Sequence, residues 1–89
     1  NYIDLAQVEV YLTPLVDHLL MGVIEEESAN ISVRDEDKQF IARIYGYVFI
    51  GIMLDWIKDG MNEDPVQIVD KLSILLKDSI ANALQKFQY

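Results

Sequence analysis

Between Asp35 and Gly60 runs the stretch that most limits what this chain can become. Its centre, Ile44 to Leu54 (IYGYVFIGIML), is uncharged and is bracketed by Arg43 and Asp55. On a helix, at about 100° per residue, Ala42, Tyr45, Phe49, Ile52, Met53 and Trp56 share one side. Phe40, Ile44, Tyr47, Val48, Gly51 and Leu54 share the other. A helix that is apolar nearly all round has to be covered on both sides. With 89 residues the chain has a modest core, so the second side is expected to be covered by another chain.

The same arithmetic bounds the organisation. The length allows one domain, 1–89, and the 52% hydrophobic content implies either a well-filled helical domain or an apolar surface kept for a partner. A net charge of −8, with only seven dispersed Lys and Arg, argues against direct nucleic-acid contact, because phosphate binding needs clustered cations. There is no cysteine, hence no disulfide framework and no thiolate chemistry. No uncharged run approaches the ~18 to 20 residues that span a bilayer, and no charged-then-apolar leader opens the chain. The expectation is a soluble, cytoplasmic protein with no membrane contact. Its first residue is Asn1, which is expected of a piece of something longer.

Asn1 to Leu12 has Leu5, Val8 and Leu12 at helical spacing, while Val8, Val10 and Leu12 also alternate as in a strand. Helix is favoured, since no second strand-like segment is present to pair with it. Thr13-Pro14 reads as a cap followed by a first helical position; a proline kink within one continuous helix is the competing reading. From Pro14 to about Ser28, Leu15, Val16, Leu19, Leu20 and Val23 form a stripe, with Asp17, His18 and Met21 opposite. Glu25, Glu26 and Glu27 oppose the helix dipole, so that end is expected to fray. After a short connection, Asp35 is the expected N-cap of a helix reaching about residue 59, with Glu36 and Asp37 in its first turn. Lys58 followed by Gly60 marks its end. Asp64-Pro65 opens a last helix to about Phe87, with Ile68, Val69, Leu72, Leu75, Leu76, Ile80, Ala83 and Phe87 on one stripe and Ile74 nearly opposite.

Chemistry-bearing constellations are sparse. His18 is the only histidine, and the adjacent Asp17 diverges from it by about 100° on a helix, so it cannot orient the ring as a catalytic partner would. Glu25, Glu26 and Glu27 point in different directions, and Asp35 to Asp37 lack the glycine and spaced acids of a calcium loop. No metal or cofactor is expected, and without a nucleophile–base pair no enzyme is either. Asp78-Ser79-Ile80 resembles the phosphopantetheine site of acyl carrier proteins, but Ser79 lies deep inside the last helix, where an attached arm would disrupt packing. Gly46 and Gly51 are about 140° apart around their helix, which is not a GxxxG pair; each is expected to let a helix or ligand approach the backbone. Tyr45, Phe49, Met53 and Trp56 are either core or one wall of a ligand cavity.

One set of residues carries a family resemblance: Tyr45-Gly46, Gly51-Ile52, Asp55-Trp56-Ile57-Lys58-Asp59-Gly60-Met61, then Pro65 and Ile68. This order and spacing resembles the C-terminal half of TetR-family transcriptional regulators of the Gram-positive subgroup, well over the last half of the chain and in outline over the first. The resemblance implies an all-α bundle of three to four helices whose last two helices form an intermolecular four-helix bundle in a homodimer. On those two helices the expected dimer interface is Phe40, Ile44, Tyr47, Gly51 and Leu54, from the second apolar face of the central helix, with Ile74, which is either an ordinary exposed residue or a partner contact beside Ala81. The resemblance further implies a small-molecule effector site, for which Tyr45, Phe49, Met53, Trp56 and His18 are the candidates. The family's N-terminal helix-turn-helix has no counterpart in this sequence, so DNA would be reached only through a domain absent from this chain. The alternative is a free-standing helical interaction module without a ligand site.

Overall fold

A computed structural model describes residues 4–89, and the first three residues of the expected N-terminal helical segment, Asn1 to Ile3, lie outside it. Among the described residues the chain forms three helices, α1 (Leu5–Glu27), α2 (Asp35–Lys58) and α3 (Pro65–Lys86). The all-α expectation holds. The expected break at Thr13-Pro14 does not: α1 is continuous, with Pro14 inside it. A mid-helix proline frees the carbonyl four residues back, here that of Val10, whose residue is highly exposed. On this solvent side water can satisfy the freed carbonyl. Thr13 Oγ1 meanwhile donates to the Glu9 carbonyl at 2.7 Å, so the expected cap serves the helix interior instead. The true cap is Asp4, whose carboxylate accepts from the Ala6 and Gln7 amides.

α2 also begins one position away from expectation. Arg34 is the N-cap and makes no side-chain capping bond, so Asp35 joins Glu36 and Asp37 in the first turn, where their charges complement the dipole. Its C-terminus ends as the sequence implies. Gly60 has φ +88°, its amide bonds the Ile57 carbonyl, and the Met61 amide bonds that of Trp56 at 2.9 Å, which is the Schellman arrangement. Asp64 caps α3 through the Val66 amide at 3.0 Å, with Pro65 at the first position. At the C-terminus of α1, Glu25 and Glu27 meet Lys38 of α2 at 3.3 Å and Lys77 of α3 at 3.8 Å. The fraying argument from the dipole had left out these cations.

The core lies where the three helices meet. Val16, Leu20 and Ile24 of α1, Ile41, Ala42 and Ile50 of α2, and Leu72, Leu76, Ile80 and Leu84 of α3 are buried, with Val33 from the α1–α2 connection. Several faces are rotated from expectation. Leu15 and Leu19 are exposed while Met21 packs on the core; Leu75 is exposed while Leu84 is fully buried. On α2, Ile52 is exposed and Ile41, Gly46 and Ile50 are buried. Beyond α3 the chain returns to the α1–α2 connection. Val33 and Gln88 form an isolated bridge, the Tyr89 amide donates to the Ser32 carbonyl at 3.0 Å, and the Arg34 guanidinium lies 4.5 Å from the centroid of the Tyr89 ring.

The molecule is elongated, 50 × 24 × 16 Å, with a radius of gyration of 14.4 Å, where a compact domain of this length would have about 12 Å. It exposes 6372 Å², roughly 1,000 Å² above the value typical of a folded monomer of its mass.

Candidate functional site

Two features qualify as functional surfaces, and both follow from how few residues three long helices can bury. The first is the outer face of α2. Phe40, Ile44, Tyr47 and Val48 are exposed, Tyr47 to 66%, and Gly51 is exposed beside them. They recur every three or four residues and so form one stripe. A Cβ built on Gly51 meets nothing within 4 Å, whereas one on Gly46 meets Leu20 Cδ1 at an ordinary 3.7 Å. Gly46 therefore faces α1 within this chain and Gly51 faces no part of it, and a methyl group has room at either position.

The other residues expected on this face divide. Ile74 is exposed, to 69%, on α3, and Ala81 is half-buried. Leu54 is partly buried against the core, because it sits at the edge of the stripe that borders the groove between α1 and α2. By length and mean hydropathy α2 is also a helix that could cross a membrane, with 17% of that window buried. The absence of a long uncharged run had set this aside, but the criterion of mean hydropathy tolerates the charges that interrupt the run. What covers the stripe is thus a question of partner.

The second feature is a cleft of about 320 Å³ between α1 and α3, floored by Phe49 of α2. Val16, Leu19, Leu20, Val69, Leu76 and Ile80 give it apolar walls, and Glu26, Glu27, Ser73 and Lys77 stand at its edge. It is left open because α1 and α2 pack closely on each other while α3 packs only loosely on both. Its size falls within the range of small-molecule sites.

Of the five residues expected to contact an effector, only Phe49 lines this cleft. Trp56 is half-buried in the groove between α2 and α3 and donates from Nε1 to the Glu63 carbonyl at 2.8 Å, so it ties the α2–α3 connection down. Tyr45 is partly buried against the core, Met53 is half-buried, and His18 is exposed on α1. The sequence reading missed the α1 and α3 walls because it placed four of its five candidates on α2 and only His18 on α1. Leu19, beside the buried Leu20, and Val69, one turn before the buried Leu72, belong to the apolar stripes of α1 and α3 and were the available signal.

A family model described as a transcriptional regulator C-terminal region, of the TetR type, matches residues 1–78. No curated protein and no solved structure matches the chain.

Proposed function

Because this chain belongs to the C-terminal regulatory regions of TetR-family transcriptional regulators, we propose that it dimerises through the outer faces of α2 and α3 and senses a small molecule in the α1–α3 cleft. The observation that carries the reading is the uncovered stripe Phe40, Ile44, Tyr47, Val48 and Gly51. The surface in excess of a typical monomer, roughly 1,000 Å², is close to the ~800 Å² that each partner buries in a standard interface. Twofold packing would set the stripe of one copy against α2 and α3 of the other, with Ile74 and Ala81 at its margin.

In this reading ligand binding shifts the dimer between states that hold two DNA-binding domains, lying outside residues 1–89, at different spacings. The charge of −8 fits a part of the regulator that leaves DNA contact to another. The cleft favours sensing over an interaction module without a ligand site, which would have no use for it. Cytoplasmic placement follows from the same role.

The test is the mass in solution by light scattering over a dilution series. A dimer persisting to low micromolar concentration is expected. Tyr47→Asp should make it monomeric, because an unpaired charge would be buried at the centre of the interface. A folded parent that is monomeric throughout would overturn the dimer, and a stripe that binds lipid vesicles instead would assign it to a membrane.

A further inference from the structure

We propose that the α1–α3 cleft selects lipophilic cations: compact molecules with an apolar body and a single positive charge. The proposal rests on the sensing role inferred above and specifies its ligand class.

The walls provide burial without charge, and all the charge is at the edge. Lys77 Nζ lies 3.8 Å from Glu27 Oε1, and the two side chains are unequally placed, Lys77 63% exposed and Glu27 22%. The ammonium therefore stands in water, already matched, while its carboxylate partner sits against the apolar wall. Glu26 shares the lining and, among the described residues, has no basic side chain within ion-pair distance. The lining thus carries two carboxylates and one ammonium, a net negative charge beside a low-dielectric surface, where attraction to a cation is screened less than in open water. A lipophilic anion would meet that charge and the chain's overall −8 as repulsion. A neutral molecule would gain the burial alone and would partly desolvate Glu27 with no compensation. Phe49 gives the floor an aromatic ring, the one uncharged side-chain type that itself attracts cations. The volume of about 320 Å³ suits a body of a few rings rather than an extended chain.

The experiment uses tetraphenylphosphonium and tetraphenylborate, nearly equal in shape and opposite in charge, with the smaller neutral triphenylphosphine oxide as a third probe, titrated calorimetrically into the full chain at physiological sodium chloride. The expected result is phosphonium binding at least about tenfold tighter than either other probe. Glu26→Gln with Glu27→Gln should remove most of that preference, while Glu9→Gln, a charge change of the same kind in a different groove, should retain it. Glu26→Gln alone serves if the double variant loses its helical circular dichroism. Equal binding of all three probes, or tighter borate binding, would overturn the cation class and leave a sensing cleft standing. A phosphonium preference that survives both substitutions would place the cation elsewhere and overturn the assignment. If none of the three binds, the sensing role itself fails along with the ligand class.

Discussion

Substituting alanine at Gly51 and, separately, at Gly46 distinguishes what α2 requires by itself from what it requires in a pair. A glycine inside a helix costs ~1 kcal/mol relative to alanine. In the isolated chain neither substitution meets an obstacle, since a Cβ at Gly51 has nothing within 4 Å and one at Gly46 has Leu20 Cδ1 at 3.7 Å. Each variant should therefore stabilise the monomer by ~1 kcal/mol. For 89 residues the unfolding entropy is about 0.19 kcal/mol/K, so the melting temperature rises by about 5 °C.

The two diverge once a partner helix lies over the outer stripe. There a methyl at Gly51 fills space that the partner occupies, and overpacking costs about 1–3 kcal/mol, which weakens dimerisation by about 5- to 150-fold. Gly46, facing Leu20, should leave the dimer constant unchanged. Light scattering across dilutions reads the constant, and thermal melts at concentrations below it read the monomer. If Gly51→Ala raises the melting temperature and leaves dimerisation untouched, the outer stripe is not the interface at that position.

Further consequences can be checked by melting and exchange. Leu84, fully buried in α3 beyond the family-matched residues 1–78, should cost ~2–5 kcal/mol on replacement by alanine; a loss below ~1 kcal/mol would show that the end of α3 is dispensable to the core. Gly60→Ala should destabilise by at least ~1 kcal/mol, because φ is +88° there and alanine resists that conformation. An unchanged melt would mean that the turn rearranges freely. Arg34→Ala removes the cation stacked 4.5 Å from the Tyr89 ring centroid, a contribution of ~0.5–1 kcal/mol at an exposed site. Exchange of the Tyr89 amide, bonded to the Ser32 carbonyl, should accelerate; exchange at the parent rate would show that the backbone bridge alone holds the tail.

Legibility followed the range of the interaction. The end of α2 and the start of α3 were readable because Lys58, Gly60, Asp64 and Pro65 act on backbone groups within a few residues of themselves. Pro14 was not readable in the same way. Whether a proline ends a helix or is tolerated within it depends on where the freed carbonyl finds a partner, and only the fold puts the Val10 residue in water. The cleft was hidden for a related reason: its two walls are far apart in sequence and are brought together only when α3 docks on the α1–α2 pair.

The sequence by itself determined that the chain is helical, that its central helix is too apolar to be covered by so few residues, and which family pattern it carries. The rotation of that helix was decided by tertiary structure alone. Ile44 and Ile50 have the same side chain, yet Ile44 is exposed and Ile50 is buried. When a helix is apolar on every side its own pattern favours no direction, and the packing of α1 and α3 selects the face that is buried.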